Sequence, residues 1–304
     1  MTSAKSTATG HAGAAPLLRV RDLDVRYEGA PSLLRRRKPP VVRGVSFDIE
    51  HGETLGLVGE SGSGKSTTGR AILRLLGVAG GSIEFDGKDI TEFGRTTPLS
   101  YRRDVQAIFQ DPSMSLNPRQ PVSDAVTSAL KRHGMGDAAE RRRRATEMFE
   151  HVGLTKAHLD RYPAELSGGQ QQRVAIARAL VLKPRLVVCD EAVSALDLST
   201  QNQILSLLSE LQAETGVSYL FIAHDLAMVR HMCDRIAVMK SGELVELAES
   251  EELFRAPQHP YTRRLLGATP SDHPDGREAR RAKRARFAHM RDLEDELDEQ
   301  AAES

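Results

Sequence analysis

Nine consecutive residues, Gly59-Glu60-Ser61-Gly62-Ser63-Gly64-Lys65-Ser66-Thr67, have types and spacing that could do chemistry on an anion. They fit the pattern GxxxxGK[ST] at every fixed position. The glycines let backbone N–H groups curl around β- and γ-phosphate oxygens without Cβ clashes, and a helix opening behind the loop points its positive end at the same charge. Lys65 can neutralise β/γ oxygens, and the Ser66 hydroxyl can ligate Mg²⁺. A second acidic element should hold the water shell of that ion. The run Leu186-Val187-Val188-Cys189-Asp190-Glu191 provides one, as four apolar residues ending in two carboxylates. Buried apolar strands rarely end in adjacent acids without a cation nearby, because an unpaired buried carboxylate is costly. Asp190 is positioned for Mg²⁺, and Glu191, one residue further out, for polarising an attacking water. These two motifs imply a P-loop nucleotide hydrolase.

The elements that must position these groups follow an α/β pattern from Leu17 to about Ala268. Leu18 to Tyr27 and Val42 to Ile49 alternate apolar and polar residues at period two, as half-buried strands do. Pro31 to Pro40 reads as a basic, proline-bounded loop between them. Thr54 to Val58 is a short apolar run suited to a buried strand leading into the glycine loop, and Thr67 to Leu76 then reads as a helix. Ser82 to Phe85 followed by Asp86-Gly87 looks like one arm of a hairpin. From about Pro112 to Ala164 the strands disappear, and Val122 to Arg132 and Ala138 to His151 show helical periodicity. Apolar strands return at Leu186 to Asp190 and Ser218 to Ile222, separated by a helix whose apolar positions include Ile204, Leu205, Leu208 and Leu211. Ile236 to Met239 and Glu243 to Glu246 pair around Ser241-Gly242.

With 42 basic and 42 acidic residues the chain has no net charge, so nothing supports whole-chain binding of nucleic acid. The basic runs at Arg35 to Lys38 and Arg141 to Arg144 read as solvated faces. No apolar stretch approaches the ~18 residues of a transmembrane helix, and Met1 to Ala15 has no apolar targeting core. Any link to a membrane must then run through a partner. Cys189 and Cys233 have neither disulfide-framework nor zinc-site spacing, and a reducing compartment suits them. Beyond Pro270 the composition turns to charge and small residues, which cannot build a core.

The subclass comes from Leu166-Ser167-Gly168-Gly169-Gln170-Gln171-Gln172-Arg173, an LSGGQ element that resembles the signature of ATP-binding cassettes (ABC proteins). Its physics is again anion binding, by a serine hydroxyl, bare glycine amides and a helix N-terminus. The resemblance implies a P-loop fold with a RecA-like core, an antiparallel β subdomain and an inserted helical subdomain at about 112–165. It also implies a site for ATP and Mg²⁺ shared between two chains, with Ser167, Gly168, Gly169 and Gln170 reaching the γ-phosphate held by the opposite subunit. Three further elements resemble the family in order. Gln110 matches the glutamine that contacts Mg²⁺ and water where the helical subdomain meets the core. Asp197, in Ser194-Ala195-Leu196-Asp197, matches the loop that crosses the dimer interface. His224 matches the switch histidine that bonds the γ-phosphate and orients the base. Tyr27 fits the aromatic that stacks on adenine.

Within the cassettes, Phe109-Gln110-Asp111-Pro112-Ser113-Met114-Ser115-Leu116-Asn117-Pro118-Arg119 and Pro257-Gln258-His259-Pro260-Tyr261-Thr262 resemble the ATPase subunits of oligopeptide/dipeptide importers. That resemblance implies a second cassette, identical or paralogous, two transmembrane permeases, an extracytoplasmic solute-binding protein, and a place on the cytoplasmic face of the membrane. As bare chemistry, Gln258 to Thr262 is a proline-bounded turn opening a short helix, a family marker and not a site. The expected organisation is a tail at 1–15, a cassette at 16–256, the importer-type element at 257–270 and a charged tail at 271–304. Relatives often carry a cysteine-bearing iron–sulfur segment, and no Cys follows Cys233, so no cluster is expected. A soluble cassette of DNA repair or translation is the alternative class, but the long insertions or paired cassettes of those proteins are not seen in this sequence; within importers, a subunit for nickel chelates or glycosides is the other alternative to peptides.

Overall fold

The computed structural model describes residues 15–27, 39–94 and 96–267. The expected tails and most of the basic loop after Tyr27, including Arg35 to Lys38, lie outside the described residues.

Two sheets organise the chain. The first is antiparallel, with the order β2-β1-β4-β5, built from β1 (Leu18–Val25), β2 (Val42–Ile49), β4 (Gly80–Phe85) and β5 (Lys88–Asp89). Its period-two strands bury Leu18, Val20, Leu23 and Val25 on one side. The second sheet has six strands in the order β10-β9-β3-β8-β7-β6. Here β3 (Thr54–Val58), β6 (Val105–Phe109), β7 (Leu186–Asp190), β8 (Ser218–Ala223) and β9 (Arg235–Lys240) run parallel, and β10 (Glu243–Glu249) closes antiparallel on β9. Every residue of β3, β7 and β8 is buried, which explains why these strands read as continuous apolar runs and not as alternation.

The two faces of this sheet feed two cores. Leu186 and Val188 pack with the antiparallel sheet, as do Leu220 and Ile222. Val187, Cys189, Tyr219 and Phe221 point the other way into a core shared with the helical insert. In that insert, α3 (Val122–Arg132) and α4 (Ala138–His151) bring Val126, Leu130, Ala145 and Phe149 against Val174 of α5 (Gly168–Leu180). The Arg141 to Arg144 run is a solvated face on α4, with Arg142 paired to Asp160 and Arg143 and Arg144 to Glu140.

The helix after the glycine loop differs from expectation. It spans Lys65–Ile72 (α1), starting and ending earlier than the predicted Thr67 to Leu76. Gly64, at φ 106, takes the N-cap, so the helix opens directly on Lys65. Arg74, at φ 57, turns the chain away after Leu73. Two short helices, α2 (Leu99–Asp104) and α8 (Ser250–Arg255), have too weak a periodicity to show in the sequence, whereas the expected short helix past Pro257 is α9 (Pro260–Gly267).

Candidate nucleotide-binding site

Parallel register brings the chemistry to one edge. Val58 lies opposite Ala223, Asp190 opposite Ile222, and Phe109 opposite Asp190. The residues just past these strands, Gly59, Gln110, Glu191 and His224, therefore share the carboxyl edge of the sheet. Ligands of open α/β sheets bind at that edge.

The glycine loop is held from several sides. A Cβ at Gly59 would sit 2.1 Å from the Met239 carbonyl oxygen, so only glycine permits β9 to approach so closely. Ser63 N–H donates to Glu60 O at 3.2 Å, and Gly242 N–H, in the β9–β10 turn, donates to Ser63 O at 2.9 Å. Lys65 is 4% exposed, and its Nζ donates to Gly59 O at 2.7 Å and Glu60 O at 2.9 Å. Burial pushes the Lys65 ammonium below its ordinary pKa, while the Glu191, Asp190 and Glu60 carboxylates oppose that shift. Among the described residues no acceptor meets the N–H groups of Gly64, Lys65, Ser66 or Thr67. These are the orphan donors of a helix start, converging where an anion is best stabilised.

Beside the loop, Ser66 Oγ donates to Asp190 Oδ1 at 2.7 Å, and Asp190 is 8% exposed. A hydroxyl and one buried carboxylate are the hard oxygen donors that suit Mg²⁺, which takes its remaining ligands from phosphate and water. Glu191 sits at φ 51, in the left-handed region that is strained for a side chain of this size. Its N–H donates to Ile222 O at 3.0 Å, and its carbonyl accepts from Ser194 N–H and Oγ at 3.1 and 3.0 Å. That turn swings its carboxylate to 3.9 Å from His224 Nδ1. Gln110 is exposed at the same edge. Tyr27 keeps 42% of its surface open, and its hydroxyl meets Thr67 Oγ1 at 3.0 Å, which places an available ring beside α1. Glu60 and Ser61 are exposed at the loop's rim.

The signature residues stand apart from this constellation within the chain. Ser167 is the N-cap of α5 in a capping box, its N–H donating to Gln170 Oε1 and its Oγ accepting from Gln170 N–H at 3.3 Å. Ser167 thus does serve as a helix cap. Ser167 and Gly168 are nevertheless exposed at the N-terminus of α5. Asp197 caps α6 (Leu198–Thr215) through Thr200 N–H and Oγ1, and these bonds hold its carboxyl below the usual range. A Cβ at Gly169 would lie 2.6 Å from the Thr200 methyl, so the starts of α5 and α6 are in direct contact. Leu198 beside them is 78% exposed, a large apolar side chain on the same surface.

One contact has no signal in the sequence. Tyr261 of α9 accepts a hydrogen bond from Glu60 N–H at 3.1 Å, linking the C-terminal element to the glycine loop. No spacing rule joins residues so far apart, and only the hairpin of β9 and β10 brings them together.

The sequence profile of the ABC transporter family matches residues 42–194. The chain belongs to the ABC transporter family. A second profile, the C-terminal region of oligopeptide/dipeptide transporters, matches residues 245–292 of this ABC protein. It is 50% identical over 261 residues to the glutathione import ATP-binding protein GsiA of Escherichia coli O6:H1, covering 85% of this chain and 42% of that one. GsiA of Shigella flexneri is 49% identical over the same share of each chain. The chain thus spans 42% of the length of these curated relatives. Among solved structures, cbiO1 from Clostridium perfringens, part of the ABC transporter complex cbiONQ, superposes with a TM-score of 0.69 at 28% identity, covering 79% of this chain and 91% of that one. The cassette MJ0796, in a dimeric post-hydrolysis state bound to ADP and Pi, gives 0.67 at 29% identity, covering 77% and 98%. The expected fold is thereby shown.

Proposed function

We propose that this chain is the ATP-hydrolysing subunit of an ABC importer for peptides, working as half of a cassette dimer. The observation that carries the reading is the convergence of unpaired loop amides, Lys65 and the Ser66–Asp190 pair on the edge that also bears Glu191 and His224. The loop amides and Lys65 bind and orient the β- and γ-phosphates of ATP. Ser66 and Asp190, with Gln110, hold Mg²⁺, which when bound neutralises charge developing on the phosphoryl oxygens. Glu191 accepts a proton from the attacking water, and His224, 3.9 Å from that carboxylate, bonds the γ-phosphate beside it. Tyr27 stacks on the base. Ser167, Gly168, Gly169 and Gln170 of a second cassette cover the γ-phosphate, and the exposed Leu198 and the loop at Asp197 line that contact.

The dimeric post-hydrolysis state of the MJ0796 cassette supports the pairing, and the relatives named for glutathione import support a small-peptide cargo. Among the described residues no helix is long and apolar enough to cross a membrane. A cleft of about 480 Å³, lined in part by Gln106, Phe109, Ala125 and Arg178, lies between the core and the helical insert and suits a cytoplasmic permease segment. Closure of two cassettes on ATP moves the inserts and biases the permease pair, because the γ-phosphate is contacted differently in the open and closed dimer. The subunit then sits at the cytoplasmic face of the membrane, supplied from outside by a solute-binding protein. The test is reconstitution with the permease pair in vesicles: MgATP should drive uptake of labelled glutathione or a dipeptide. ATP hydrolysis without peptide-dependent uptake would overturn the cargo, and no hydrolysis at all would overturn the reading.

A further inference from the structure

From the bond between Tyr261 and the glycine loop, we propose that Tyr261 is a positioning residue for the phosphate loop, through which the C-terminal element sets nucleotide affinity. The inference rests on the nucleotide-site reading and names a contributor to it outside the cassette motifs. Tyr261 is 3% exposed, and its hydroxyl accepts from Glu60 N–H at 3.1 Å. The carbonyl of Glu60 accepts from Lys65 Nζ and from Ser63 N–H. Both backbone polar groups of Glu60 are therefore fixed, one by the loop itself and one by α9.

The anchor for that hydroxyl is firm. The Glu246 carboxylate, on β10, accepts from Gln258 N–H at 2.7 Å and His259 N–H at 3.0 Å. His259 Nδ1 in turn accepts from Tyr261 N–H at 3.2 Å, and Lys240 Nζ lies 5.2 Å from the centre of the Tyr261 ring. The strands that brace the loop at Gly59 and Ser63 thus also carry the helix that braces it at Glu60. A loop ordered before its ligand arrives bears less of the ordering cost on binding, so a lost brace should weaken affinity. One net hydrogen bond corresponds to roughly a 3- to 10-fold change in a dissociation constant.

The experiment uses the full chain with Tyr261→Phe, which keeps the ring and removes the hydroxyl. Thr262→Val is the control, because Thr262 is fully buried on the same helix and its Oγ1 has no partner among the described residues. MgATP and ADP dissociation constants are measured, together with amide hydrogen exchange of the peptide containing Glu60 in nucleotide-free protein. Expected are a roughly 3- to 10-fold weaker affinity and faster Glu60 exchange in Y261F, with T262V within about twofold of the unsubstituted chain. Equal affinity and exchange in Y261F would overturn the inference, as would equal weakening in both variants, which would assign the effect to helix integrity. Failure of the unsubstituted chain to bind nucleotide would instead defeat the site reading itself.

Discussion

Replacing Glu191 separates chemistry from folding in this site. Its side chain is 24% exposed and approaches His224 at 3.9 Å, beyond hydrogen-bond length, so Glu191→Gln gives up no strong contact. Stability should change by less than about 0.5 kcal/mol. A positioned general base contributes about 10²- to 10⁴-fold. That is about 3–5 kcal/mol of barrier, so phosphate release at saturating MgATP should fall by that factor. Nucleotide affinity should stay within about threefold, since uniform binding is untouched. Backbone strain supplies an internal control. At φ 51 a side chain costs about 1–2 kcal/mol, which glycine escapes at about 0.5–1 kcal/mol of added chain entropy. Glu191→Gly should therefore be more stable than Glu191→Ala by up to about 1.5 kcal/mol in urea unfolding, with both inactive. Turnover in E191Q within about fivefold of the parent would remove Glu191 as the base. E191A more stable than E191G by about 0.5–1 kcal/mol would show that the left-handed turn stores no strain.

Lys65→Ala should abolish measurable MgATP binding in equilibrium titration, because among the described residues no other cation bonds to the loop's carbonyls; retained affinity would contradict the phosphate assignment. Burial lowers the Lys65 pKa, and phosphate prefers the ammonium, so MgATP affinity should weaken as pH rises towards the ordinary 10.5, starting below that value. Lys65→Arg, charged throughout, should lack the slope. Gly168→Asp places a carboxylate in the first turn of α5, where a helix welcomes it and where the nearest atom to the new Cβ is Leu196 Cδ2 at 3.6 Å. It should fold and bind nucleotide as a monomer, yet block nucleotide-dependent dimers in light scattering and lower hydrolysis about 100-fold or more; normal dimers would remove the shared site. Gly59→Ala should destabilise the chain by more than about 2 kcal/mol in urea unfolding, since its Cβ would meet the Met239 carbonyl at 2.1 Å.

Much of this protein was legible in its sequence because the decisive signals are local. A glycine loop between an apolar strand and a helix, two acids closing a β-strand, and Ser167 before paired glycines each act through neighbouring backbone. Buried parallel strands such as β3, β7 and β8 announce themselves by unbroken apolar runs. Helix ends were less legible: Gly64 in the left-handed region set the start of α1 two residues earlier than periodicity implied, and Arg74 turned the chain beyond its end.

Tertiary structure alone decided how distant segments meet. The register of β6, β7, β8 and β3 aligned Gln110, Glu191, His224 and Gly59 on one edge, and that register depends on which strands pair, which no single segment encodes. The strained backbone of Glu191 follows from bonds to Ile222 and Ser194, and the hydroxyl of Tyr261 reaches Glu60 only because a hairpin carries α9 to the loop. Local chemistry is written in consecutive residues; the distances that make it a site are set by packing between segments far apart in the chain.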